Sequence, residues 1–202
     1  MLFRSQADVT AVVDDGSPRG PRTVALWQPP MIDERSGTRA SAHREAAAVI
    51  AGLIDHGHTT LGFARSRRGV EIVAADVRRR LPRPLARRVR AYRGGYLTEE
   101  RRAIEDELFA GQLSGVVATS ALELGIDVGG LDAVVIDGFP GTIASFWQQA
   151  GRAGRSGAAS ATVLVTGNDQ LDQWLATHPG ELLTRTPEIG RASCRERVFV
   201  GV

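Results

Sequence analysis

Short apolar runs alternate along this chain with longer segments in which apolar residues return every three or four positions. Few folds accommodate that rhythm. The segment Thr23 to Gln28 is β-rich and ends at Pro29 and Pro30. From about Arg39 to Asp55, Ala42, Ala46, Val49, Ile50 and Leu53 recur at helical spacing, and Gly57 sits where a C-terminal cap belongs. A strand over Thr59 to Ala64 is followed by a helix capped by Ser66 and stopped by Leu81 before Pro82. The pattern continues with a strand at Val89 to Tyr92 and a helix from Thr98 to Gly111. In that helix Ile104 and Leu108 face inward, and Arg101 with Glu105 and Arg102 with Asp106 form i,i+4 pairs outside. Strands at Gly115 to Thr119, Ala133 to Ile136 and Ala161 to Val165, with helices at Ile143 to about Ala150 and Asp169 to Ala176, complete the series. Strands that alternate with helices imply an α/β fold, a doubly wound, mostly parallel sheet with helices on both faces, over residues 23–180.

The flanks differ from this middle. Residues 1–22 contain Asp14-Asp-Gly-Ser-Pro-Arg-Gly20, a turn or linker composition. Residues 181–202 read as a tail. From about Glu188 it has no period, holds the only cysteine and resembles the adapter-like, non-native tails of truncated assembly products, with a terminal strand from Arg197 to Val202 as the alternative.

Composition enters through an absence: all 25 basic residues are arginine. Without lysine there is neither a Schiff-base lysine nor a phosphate-binding P-loop lysine in these 202 residues. Arginine grips phosphate with a bidentate fork, which suits anionic partners, but a net charge of +2 argues nothing by itself. A single cysteine, Cys194, leaves no disulfide framework, and His43, His56, His58 and His178 do not group with acids at ligand spacing, so no metal site is expected. No apolar run is long enough to span a membrane and no secretory leader is written at Met1, which makes the cytoplasm the default compartment.

Four places along the chain carry the chemistry, three of them strand ends. In Gln148-Gln-Ala-Gly-Arg-Ala-Gly-Arg155, two arginines three apart are separated by glycines that let backbone approach closely, so two forks can meet one anion such as a γ-phosphate. A dinucleotide fingerprint is the rival reading, but here the helix precedes the glycines and a strand follows, the reverse of that motif. The strand ending at Thr119 leads into a Gly125 and Asp127 pair, whose carboxylate suits a ribose hydroxyl. Phe63-Ala-Arg-Ser-Arg67 and Tyr92-Arg-Gly-Gly95 place hydroxyl, arginine and glycine at two more strand ends.

Taken in order, Phe63-Ala-Arg-Ser-Arg67, Tyr92-Arg-Gly-Gly95, Ala118-Thr-Ser-Ala-Leu-Glu-Leu-Gly-Ile-Asp127 and Gln148 to Arg155 resemble motifs IV, IVa, V and VI of the second RecA-like lobe of superfamily 2 helicases. With Asp14 to Gly20, Trp27-Gln-Pro-Pro30, Gly138-Phe-Pro-Gly-Thr142 and Ser145-Phe-Trp-Gln-Gln149, the chain looks more narrowly like the mitomycin-repair type of DEAD/DEAH-box DNA helicases, relatives of the RecQ4 group. The resemblance implies that Arg152 and Arg155 reach the γ-phosphate of ATP, with Arg155 as the finger. It further implies that Gly125 and Asp127 lie near the nucleotide, and that Gln148 links nucleotide and nucleic acid. Ser66, Arg67, Arg93, Gly94 and Thr119 would follow the phosphates of single-stranded DNA without reading bases. Implied partners are single-stranded DNA or a duplex with a 3′ tail, tracked 3′ to 5′, and an N-terminal RecA-like lobe that holds most of the ATP and Mg²⁺. Trp147 is expected in the core rather than against a base.

The Lys-free chain contains only half of such an active site, so it is expected neither to turn over ATP nor to unwind DNA alone. Two other readings stay open: a non-catalytic lobe that binds nucleic acid or docks on a partner, and a translocase that never separates strands.

Overall fold

In a computed structural model of the chain, the described residues are 20–122, 130–154 and 157–184, together with the backbone of 196–201. Most of the N-terminal linker, residues 185–195 of the tail and three of the expected site residues, Gly125, Asp127 and Arg155, lie outside them.

Among the described residues seven strands form one sheet. In chain order its members are β1 (Arg22–Trp27), β4 (Thr60–Ala64), β5 (Val89–Tyr92), β6 (Gly115–Ala118), β7 (Ala133–Asp137), β8 (Ser160–Val165) and β9 (Glu196–Gly201). In space the order is β5-β6-β4-β7-β8-β1-β9, and every pairing is parallel. β4, β6 and β7 are buried at every position, as expected of central strands covered on both faces. The helices are α1 (Ala42–Asp55), α2 (Arg67–Arg80), α3 (Arg83–Ala86), α4 (Thr98–Phe109), α5 (Ile143–Ala150), α6 (Gln170–Thr177) and α7 (Pro179–Thr184). On one face α1 and α2 lay Ile50, Ile54, Val70 and Val73 against Val117 and Val135. On the other, α4 to α7 contribute Leu108, Phe146, Leu175 and Leu182 against Leu61, Val134, Ile136 and Leu164. The parallel sheet with helices on both faces is thus the architecture that the alternation implied.

Local signals set the element ends. The Ser66 side chain accepts from the Gly69 N–H at 2.9 Å and starts α2, as its sequence position implied. At the end of α1, Gly57 has φ +85°, its N–H donates to the Ile54 carbonyl, and the His58 N–H reaches the Leu53 carbonyl, a Schellman closure.

Two features depart from the sequence reading. Arg39 pairs with Met31 in a small antiparallel hairpin, β2 (Met31–Asp33) and β3 (Thr38–Arg39), so α1 starts at Ala42. Among the described residues no Arg101–Glu105 or Arg102–Asp106 ion pair forms along α4. Its acids reach back to β5 instead: Glu105 accepts from the Tyr92 hydroxyl at 2.6 Å, and Glu107 pairs with Arg90 at 3.0 Å. At the other edge of the sheet, residues 196–201 pair with β1, Val198 opposite Val24, in the segment for which a terminal strand was the alternative reading.

Phe146 is fully enclosed, in a cluster that joins α5 to the sheet. Phe146→Ala should lower the unfolding free energy by about 3–5 kcal/mol. Urea denaturation checks this, and a loss below about 1 kcal/mol would mean that the ring does not close that layer.

Candidate functional site

A parallel sheet sends all its strands out at one edge, and the register makes that edge level. Phe63 stands opposite both Ala118 and Ile136, and Tyr92 opposite Ala118. The residues that follow on β4, β6 and β5 therefore emerge side by side: Ser66 and Arg67, then Thr119, then Arg93 and Gly94. Ser66 and Arg67 open α2, so the first turn of a helix faces the same edge. The Thr119 N–H donates to the Tyr92 carbonyl at 3.3 Å, which ties the ends of β6 and β5 together.

The turn after β5 is shaped by two arginines. Gly95 has φ +107°, and a Cβ there would lie 3.6 Å from Nη1 of Arg93 and 3.7 Å from Nη1 of Arg67. At Gly94 it would lie 3.9 Å from Nη2 of Arg67. Two guanidinium groups thus close around a bare glycine turn. Nε of Arg93 donates to Oε1 of Glu71 at 2.8 Å, and the Tyr96 hydroxyl donates to the same oxygen at 3.1 Å. Arg93 also lies over the Tyr96 ring, 4.7 Å from its centroid. The hydrogen bond from Arg93 holds the Glu71 carboxyl below its ordinary range, while burial and then Glu71 push the Tyr96 hydroxyl up.

Between β4 and β7, where the chain order reverses across the sheet, a cleft of about 410 Å³ opens at the same edge. Phe63, Ile136 and Phe139 form its apolar wall; Arg65, Asp137 and Gln149 supply polar atoms. Arg65, at the cleft wall, pairs with Asp169 at 2.6 Å. Gly138 is required beneath it, because its φ is +80° and a Cβ would lie 2.7 Å from Nε of Arg65. Asp172, 1% exposed, accepts from the backbone N–H groups of Phe139, at 3.0 Å, and of Gly167. Burial pushes its carboxyl above the usual range despite those donors. Nδ1 of His43 on α1 hydrogen-bonds the Asp137 carboxylate, which raises the His43 pKa.

The double-arginine motif closes α5. Thr142 caps this helix, accepting from the Ser145 N–H at 3.0 Å. Gln148 is exposed on α5, whereas Gln149 is buried and lines the cleft. Arg152 is 8% exposed, and Gly154, at φ +77°, packs where a Cβ would meet Oγ of Ser160 at 2.3 Å. Trp147 packs into the core edge-on to Phe146, at 5.1 Å between ring centroids.

The structure therefore brings Ser66, Arg67, Arg93, Gly94 and Thr119 to one edge and sets Gln148 and Arg152 on the α5 side. Sequence reading missed the Arg65–Asp169 and His43–Asp137 pairs, which join residues 104 and 94 positions apart. It also missed the Glu71 and Tyr96 support of Arg93. Gly138, in a run already singled out, was the available signal. Among the described residues no group of three or more His, Cys, Asp or Glu side chains could hold a metal, and no helix is long and apolar enough to cross a membrane.

The sheet order, two helical layers and site edge define a RecA-like α/β lobe. The chain belongs to the helicase conserved C-terminal domain family, whose model matches residues 45–157, and it is a second lobe of the superfamily 2 kind. It is 41% identical over 180 residues to the ATP-dependent helicase HRQ1 of Saccharomyces cerevisiae, covering 87% of this chain and 17% of that protein. With the uncharacterized ATP-dependent helicase YprA of Bacillus subtilis it shares 39% identity over 181 residues, 89% of this chain and 24% of the relative. The crystal structure of the DUF1998 helicase MrfA bound to DNA superposes with a TM-score of 0.83 at 38% identity, over 91% of this chain and 24% of that one. The chain thus spans a quarter or less of the length of these relatives.

Because the folded His43 pKa lies above its unfolded value, the stability it contributes is fully present below about pH 6.5 and is lost as pH rises through the folded value. Thermal melts of the wild type and of His43→Gln should therefore diverge most near about pH 6 and converge at alkaline pH. A gap that stays constant across that range would exclude the linkage.

Proposed function

We propose that this chain is the C-terminal motor lobe of an ATP-dependent DNA helicase of the mitomycin-repair type, which moves 3′ to 5′. One observation carries the reading: Ser66, Arg67, Arg93, Gly94 and Thr119 emerge side by side from three adjacent strand ends, with Arg67 and Arg93 converging on Gly95. Hydroxyls, a helix start and paired guanidinium forks suit successive backbone phosphates and are indifferent to base identity. The HRQ1 and YprA names, and the DNA in the MrfA structure, support the same assignment.

In this reading the α5 side faces ATP. Arg155 is the finger that stabilises charge on the transferring γ-phosphoryl, Arg152 supports it, Gly125 and Asp127 adjoin the nucleotide, and Gln148 connects the two ligands. Glycine at 154 is required by the fold, since it adopts a φ that side chains rarely take and abuts Ser160. Mg²⁺ and most contacts to ATP fall to the N-terminal lobe, since these 202 residues offer no P-loop lysine. A second reading, a lobe that binds nucleic acid or a partner without hydrolysis, is favoured by the burial of Arg152.

The purified chain should show no steady ATP hydrolysis. Supplied with its N-terminal lobe, it should hydrolyse ATP and unwind 3′-tailed duplexes, and Arg155→Ala should cut kcat by about 10³–10⁵ with little change in DNA affinity. Steady hydrolysis by the 202-residue chain alone would overturn the division of labour. An Arg155 variant with an undiminished rate would overturn its role as the finger, and failure of the two lobes together to hydrolyse ATP would favour the second reading.

A further inference from the structure

Seven arginines fall between Arg78 and Arg90, at the end of the sheet opposite the strand-end edge. Five of them have work within the lobe. Nε of Arg78 donates to the Val89 carbonyl at 3.1 Å, and Arg79 and Arg80 pair with Asp76 at 3.0 and 3.4 Å. Arg88 donates to the Gly111 and Gln112 carbonyls beyond α4, each at 2.8 Å, and Arg90 grips both oxygens of Glu107. Arg83 and Arg87 are different: both are exposed, and among the described residues neither has an ion pair or a side-chain hydrogen bond. They stand four residues apart at the ends of α3, a spacing at which like charges destabilise a helix.

With Arg78 and Arg90 these two line an open cleft of about 410 Å³. The carboxylates paired with arginines at this end are Asp76 and Glu107, so positive charge is in clear excess. Glu107 neutralises Arg90, but the other three guanidinium groups around the groove repel each other, and an anion relieves that repulsion. A row of arginines at helical spacing matches the repeated charge of a phosphodiester backbone.

We infer that the groove around Arg83 and Arg87 is a second nucleic-acid backbone site, separate from the strand-end edge, that holds the phosphates of duplex DNA. The choice of nucleic acid rests on the helicase reading above, and the groove on its own geometry.

The test is fluorescence anisotropy of the 202-residue chain with labelled duplex and labelled single strand across a salt series. Two double variants are compared, Arg83→Ser/Arg87→Ser and Arg67→Ala/Arg93→Ala. Because Arg83 and Arg87 make no ion pair or side-chain hydrogen bond among the described residues, the first variant should melt as the wild type does. Its duplex binding should lose about 1.8 from the slope of log affinity against log salt, about a tenfold smaller loss between 50 and 200 mM. An unchanged duplex affinity and slope would overturn the second site. Polyglutamate competing as well as DNA at equal charge would overturn it too, in favour of an acidic protein partner. If instead Arg67→Ala/Arg93→Ala left single-strand binding untouched, the helicase reading would fail while the groove result stood by itself.

Discussion

Parallel pairing is the constraint on which the rest of this lobe depends. Each crossover returns the chain to the same side of the sheet, so every strand of the parallel sheet leaves at one edge and enters at the other. Apolar pressure on both faces then fixes the register, because a slip of one residue would exchange the α1 and α2 layer for the α4 to α7 layer. With register fixed, Phe63, Ala118 and Tyr92 come level, and whatever follows them is presented together. The site is in this sense a by-product of how the core closes.

How much of this was legible depended on whether a signal was local. Helix caps at Ser66 and Gly57, and the buried runs of β4, β6 and β7, were readable because their physics lies within a few residues. The strand-end residues were readable as types, although nothing in their spacing said that β6 would insert between β4 and β5. Pairs such as Arg65 with Asp169, or Tyr92 with Glu105, depend on which loops the topology brings together. Of the i,i+4 pairs read along α4, Arg101 with Glu105 gave way for the same reason: the Tyr92 hydroxyl of β5 donates to Glu105. The small hairpin of β2 and β3 escaped notice because its strands are too short to show alternation.

The loops after β4, β7 and β8 are held by one polar network. Arg65, Asp169 and Asp172 join the three loops, and Gly138 and Gly167 leave room where a side chain would collide. Asp172 is nearly sealed from solvent and depends on the donors around it, since a buried carboxylate without partners is costly. The cleft wall thus owes its shape to electrostatics at its rim and to apolar packing beneath.

Helix α2 connects two surfaces that the sheet keeps apart. Its first residue, Arg67, stands beside the glycine turn after β5, and its last, Arg80, belongs to the arginine-rich end. Fourteen helical residues make a strut about 21 Å long, clamped along its length by Val70, Val73 and Val77. A tug on either end cannot be absorbed by bending in between, so it is delivered to the other as a displacement of the whole rod.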